Sequence, residues 1–254
     1  MPNYKFKHCP ILKNVTFSLL LAILWPATAI FAQTDGKANP VTVSGNVQIT
    51  NNGVAPVPIF ALGRPAILST TSIRKGRFYF NPEFNLGLDA KPWTLFARVG
   101  YYLVEKKKLV VVLAANLNWF FADNIPVVNN QQMQVQRYYA LEFNGQLKPT
   151  EHQNFFFSYW RSQLLGELGV KFEDFINFVY DFEDLKLGDK NIFTFKPSVF
   201  YLYDYEFVKG FFAAQTSTYK RAAWKFNVFL TTSTPLGKLP GTGFVWNTGV
   251  NVPF

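Results

Sequence analysis

From residue 77 to its last residue the chain keeps a two-residue beat, large and apolar at one position and small or polar at the next. In RFYFNPEFNLGLDA, residues 77–90, one face carries Phe78, Phe80, Pro82, Phe84, Leu86 and Leu88. The other carries Arg77, Tyr79, Asn81, Glu83, Asn85, Gly87 and Asp89. That period belongs to a β-strand. The next run, 93–104, sets Trp93, Leu95, Ala97, Val99, Tyr101 and Leu103 against Thr94, Phe96, Arg98, Gly100 and Tyr102. After a lysine-rich turn, Leu109 to Phe121 alternates with Val110, Val112, Ala114, Asn116 and Asn118. The pattern returns at about 132–147, 153–162, 171–184, 191–204, 210–221, 223–234 and 243–254, which predicts ten strands.

These runs are about 10–14 residues long. Strands in soluble domains usually have about 5–6 residues, whereas a tilted membrane-spanning strand needs about 9–11. The bulky face therefore reads as lipid-facing, and the face rich in Asn, Gly, Ser and Gln as the lining of a lumen. A soluble lipocalin-like barrel would place its bulky residues inside. The expected fold is all-β, a transmembrane antiparallel up-and-down β-barrel. Residues 41–50 alternate weakly, and 65–73 offers a hairpin partner, so about 12 strands are expected, with ten as the alternative. Between them, residues 50–66 contain prolines that disfavour a strand interior, leaving an outer loop or a segment folded into the lumen.

The first 32 residues have a different pattern. Lys5, Lys7 and Lys13 precede an apolar stretch from Val15 that ends in small residues at Ala27, Ala29 and Ala32. This is the form of a cleaved export signal, 1–32, leaving a single barrel domain, 33–254, with a short lead at 33–40. Cys9 lies ahead of the apolar core, without the residues a lipidation cysteine follows. Removing the signal takes away three lysines and no acid, so the formal charge falls from +9 to +6. It also leaves no cysteine and one histidine, His152, which excludes thiolate metal sites and thiol nucleophiles. The modest positive charge has no basic helix or nucleic-acid motif with it, so anionic lipid head groups are the expected contact and nucleic acid is not.

The last run, GFVWNTGVNVPF, carries Phe244, Trp246, Thr248, Val250, Val252 and Phe254 on one face and ends on an aromatic residue. It resembles the C-terminal signature strand of Gram-negative outer-membrane β-barrel proteins. The resemblance implies the cell outer membrane as location, and recognition of Trp246, Val250, Val252 and Phe254 by the barrel-assembly machinery. If the chain ends on the periplasmic side, counting back puts turns at 74–76, 105–108, 148–152, 185–190 and near Arg221 there. Outer loops fall at 90–92, 122–131, 163–170, 205–209 and 235–242.

Chemistry is sparse. His152 lies in a short turn on the periplasmic side, the wrong height for a membrane-embedded hydrolase, and no glycine-rich phosphate loop or metal-ligand cluster occurs. The expectation is no enzyme, with a membrane-embedded one the remotest reading, and no cofactor. The candidate lumen lining is Glu83, Asp89, Arg98, Glu142, Lys171, Asp181, Glu183 and Lys196, of mixed sign. Passage of small solutes through a narrow porin-like barrel is the leading function. The alternative is a closed structural barrel, or one binding a periplasmic partner at the basic rim of Arg74, Lys75, Lys106, Lys107, Lys108, Lys148, Lys190, Lys220 and Arg221. Tyr79, Tyr102, Tyr138 and Phe200 point inward and would narrow the bore. Arg137 and Arg161 share the lipid face with bulky residues and so belong at an interface, where lipopolysaccharide phosphates are candidate contacts.

Overall fold

The structure, a computed structural model, describes residues 40–54, 61–122, 134–166, 171–204, 208–239 and 242–254. The predicted export segment 1–32, the lead up to residue 39, the middle of the 50–66 segment and most of the 122–131 loop lie outside the described residues.

Twelve strands follow in chain order: β1 Val41–Thr50, β2 Ala66–Lys75, β3 Phe78–Gly87, β4 Pro92–Lys106, β5 Leu109–Ala122, β6 Gln134–Leu147, β7 Gln153–Leu164, β8 Phe172–Leu187, β9 Asn191–Tyr203, β10 Lys209–Arg221, β11 Asn227–Pro235 and β12 Val245–Pro253. Each is antiparallel to the next, and β12 returns to β1, with Thr50 opposite Gly249 and Asn46 opposite Pro253. The sheet is closed and has no free edge. The weakly alternating β1 and its partner β2 pair without interruption from Val41–Lys75 to Thr50–Ala66, which settles the count at twelve.

The outward face carries the apolar positions. Leu141 is 62% exposed, Phe178 58% and Phe211 55%, all within strands, and Val99, Leu117 and Leu230 continue the belt around the perimeter. An aqueous surface does not tolerate so continuous an apolar belt, whereas hydrocarbon does, and the closed ladder leaves no strand edge for lipid to strand unsatisfied. No helix among the described residues is long and apolar enough to cross a membrane.

Sequence alternation fails at three places. Trp93, expected on the outer face, is 8% exposed and packs with Ala66 and Leu68. The pairing of β3 with β4 slips between Asn85 and Leu86, so Trp93 is an extra residue that turns to the opposite face. A second slip lies between Tyr102 and Val104 on β4, and a third between Phe182 and Leu185 on β8, where Asp184 adopts a φ of 52°. The last turn is also longer than expected. Residues 222–226 form it, with Trp224 stacked on Phe226, so Lys225 lies in the turn and outside the lumen. Arg77 likewise belongs to the β2–β3 turn.

Two glycines are required by close approach. The Tyr79 ring occupies the space a Cβ on Gly100 would need, and the Phe254 ring does the same over Gly45. In each case an aromatic side chain covers the backbone of the neighbouring strand. The backbone of Phe254 also exchanges two 2.9 Å hydrogen bonds with Gly45, which ties the chain end into the closing seam.

With an even strand number, Val41 and Phe254 share one end of the barrel with the turns at 76–77, 107–108, 148–152, 188–190 and 222–226. The opposite end carries the longer connections, 88–91 and 204–208 excepted. The legs of the 50–66 segment are tied there: Leu62 N donates to Gly53 O at 2.8 Å, and Asn52 Nδ2 to Trp246 O at 3.2 Å.

Candidate functional site

Alternation delivers the polar residues of β3–β6 to the lumen, and register brings them level. Arg98 on β4 lies opposite Asn116 on β5, and Glu142 is two strands away on β6. Arg98 Nε donates to Asn116 Oδ1 at 3.1 Å and forms an ion pair with Glu142 at 3.2 Å. Asn116 Nδ2 also donates to Glu142, and Asn144 Nδ2 reaches its other oxygen at 3.3 Å. Glu142 is buried with its charge compensated by one guanidinium and two amides. Beside this cluster, Asn85 is fully buried and donates to Glu83 Oε1 and Thr94 Oγ1, each at 2.7 Å.

A second ion pair lies farther round the barrel, where Lys196 on β9 meets Asp181 on β8 at 2.5 Å. The carboxylate is buried and the ammonium is more open. Farther along β8, Glu173 accepts from Ser162 Oγ at 3.2 Å.

Two cavities open between these groups. One, of about 370 Å³, runs between Arg98 and Tyr79 on one wall and Phe156, Trp160 and Asn177 on the other. The second, of about 450 Å³, is bordered by Lys196, Thr216, Thr231, Asn227 and Asn247 and reaches Val54 in the 50–66 segment. Between β7 and β10 the lumen is filled by Trp160, Phe175, Phe200, Leu202 and Phe212, with Val208 and Leu239 against them. Phe200 and Phe212 stack at 4.9 Å. At the end shared by Val41 and Phe254, Arg74 grips both oxygens of Glu105 at 2.6 and 2.7 Å and lies 4.2 Å above the Tyr102 ring, which contacts Tyr79 edge-on. The bore thus mixes polar with apolar surface and is obstructed in part by aromatics.

The sequence-derived candidates separate accordingly. Arg98 and Glu142 come together, as do Asp181 and Lys196. Glu83 faces inward beside the first pair. Asp89 is in the β3–β4 turn, outside the strand that was expected to contain it, where it pairs with Arg64 at 3.3 Å. Lys171 is exposed just before β8, and Glu183 sits in the β8 irregularity with its N–H bonded to His152 O at 2.9 Å. His152 itself is exposed in the β6–β7 turn. Arg137 and Arg161 are exposed on the outer face; Arg161 lies opposite Asp174 and 5.5 Å from the Phe172 ring. Trp246, Val250, Val252 and Phe254 all project outward from the seam. Counting charges alone misses Asn116, Asn144 and Trp160. Their inward parity at mid-strand is the signal that marks them.

Fold and lumen together define a membrane-spanning β-barrel with a partly polar, partly filled interior. No protein-family model matches the chain, and no curated protein matches it in sequence. Among solved structures it is similar to the NanC porin, with 9% identity and a TM-score of 0.45 over 84% of this chain and 98% of that one. It is also similar to an outer membrane channel from Pseudomonas putida F1, with 11% identity and a TM-score of 0.48 over 87% and 99%. OccAB3 of Acinetobacter baumannii is a third, with 9% identity and a TM-score of 0.35 over 87% and 66%.

Proposed function

We propose that the chain is an outer-membrane barrel that passes small solutes. The observation that carries this reading is that amides, hydroxyls and paired charges border both lumenal cavities, sharing the first with aromatic and aliphatic side chains. An eight-stranded barrel fills with its own side chains and a sixteen-stranded one leaves a wide channel, so twelve strands fit a narrow path. Conductance of the purified barrel in planar lipid bilayers tests it. Discrete steps well below those of a general porin are expected; a correctly folded barrel that stays silent would overturn it.

A closed, structural barrel is the second reading, favoured by the aromatic cluster between β7 and β10 and by Trp93 and Leu62 packed at the far mouth. Trimming Phe200 and Phe212 to alanine separates the two. A barrel plugged by these rings gains conductance when they are removed, whereas a path that runs beside them changes little.

A further inference from the structure

We propose that a groove on the lipid-facing side of β5–β10 binds one anionic glycerophospholipid, its acyl chain in the groove and its phosphate at the lysines of the β4–β5 turn. This holds whether or not the lumen conducts. The groove encloses about 900 Å³. Register builds its walls from two parallel rows of outward residues. One row runs through Gly145, Phe157, Phe178, Val199 and Ala213, each opposite the next on the neighbouring strand. The other runs through Leu109, Leu147, Phe155 and Tyr180, paired in the same way, and reaches Pro197. Between the rows, Gln146, Phe156, Val179 and Ser198 turn their side chains toward the lumen by alternation, so the groove floor is their backbone. Where the groove crosses β7 and β8 both walls are aromatic: Phe155 stacks on Tyr180 at 4.4 Å, and Phe157 meets Phe178 at 5.0 Å. Gly145 leaves a gap in the first wall, since a Cβ there would meet nothing within 4 Å.

Hydrocarbon covers this whole face in a membrane; what sets the groove apart is where it begins. Strands tilted by about 35–45° make any row across them climb through the bilayer. The groove accordingly starts at Leu109, the first residue of β5, and reaches Ala213 near the opposite end of the barrel on β10. Its start meets the basic rim. Lys106 is paired with Leu109 and so faces outward with it, exposed, and Lys107 and Lys108 follow in the turn. Lys148 lies beside them, its N–H bonded to Lys108 O at 2.9 Å. Of the acids nearby, Glu105 is held by Arg74, which leaves Glu151 in the β6–β7 turn against four lysines. A phosphate answers that excess charge, and the chain attached to it enters the groove beside Leu147, at the Gly145 gap. Five strand spacings of about 4.8 Å give the groove length enough for a chain that reaches the bilayer midplane, about 15 Å down. A zwitterionic head group brings its own ammonium to the same lysines and loses part of the gain.

The test is native mass spectrometry of the purified barrel released from detergent, with phosphatidylglycerol, phosphatidylethanolamine of the same acyl chains, and lipid A added in turn. Retention of a single phosphatidylglycerol is expected, at least about fivefold over phosphatidylethanolamine, the worth of one basic side chain at an anionic surface. Lys106→Gln with Lys107→Gln and Lys108→Gln should abolish that preference. Lys190→Gln with Lys220→Gln and Arg221→Gln removes the same charge from the same rim away from the groove, and should leave the preference unchanged. Gly145→Phe fills the gap and should remove the retained lipid, with heat-modifiable gel mobility as the folding control. If it does not fold, the two charge variants still decide. Equal retention of the two phospholipids, tighter retention of lipid A, equal loss from both charge variants, or a lipid-free dimer with a second copy on the groove would overturn the proposal.

Discussion

Among the residues, Glu142 is the most exposed to failure of a partner. Its carboxylate is buried, and one guanidinium holds the balancing charge. Removing one member of a buried pair costs about 3–5 kcal/mol, mostly through the charge left behind, whereas replacing both by apolar groups of similar size is often neutral. Arg98→Met should therefore lower stability in urea unfolding from lipid vesicles by about 3 kcal/mol. Adding Glu142→Leu to it should restore most of the loss. If the double variant is as weak as the single, the pair is not the reason these residues are needed. At the second ion pair, Lys196→Gln leaves Asp181 as an uncompensated carboxylate next to the 450 Å³ cavity. Where the path conducts, the reversal potential in a salt gradient should move toward cation selectivity.

For a strand, the relevant property is which face meets lipid and at what depth. Leu141 is near the middle of β6 and is 62% exposed, while Arg137 lies four residues nearer the strand's end on the same face. An arginine at the bilayer midplane costs about 2–4 kcal/mol and close to nothing near the interface. Leu141→Arg should lose about 2–4 kcal/mol in the same urea assay. Arg137→Gln with Arg161→Gln should leave stability unchanged and reduce co-purifying lipopolysaccharide; unchanged lipopolysaccharide would sink the proposed phosphate contact. Strand β8 also illustrates how an element departs from its pattern. The irregularity at Glu183–Asp184 inserts one extra residue on β8, so parity counted from Phe172 no longer holds for Lys186.

On the scale of the whole molecule, an even number of strands puts both barrel termini at one end. In the proposed orientation that end faces the periplasm, with the basic rim around it. An epitope tag inserted after the exposed Gly166 should be detected on intact cells, and the same tag after the exposed His152 only after permeabilisation. The opposite result would invert the barrel. Orientation also bears on the rim: Arg74 is engaged with Glu105, so contact with anionic head groups or a periplasmic partner would fall to the lysines of the turns.

By itself the sequence determined the class of fold, because a period of two over 9–16 residues dictates which side chains share a face whatever the neighbours are. Alternation also assigned the inner and outer face of most strands, the slips on β4 and β8 apart. What it left open depended on register between strands far apart in sequence. Arg98 and Glu142 are 44 residues apart, and only the hydrogen-bonded ladder through β5 makes them a pair. The same holds for Trp93, whose face is set by a slipped pairing with β3 that alternation along β4 alone cannot reveal. Tertiary structure likewise decided that Trp160, Asn81 and Asn177 share one cavity, since a barrel converts positions on separate strands into opposite walls of a single space.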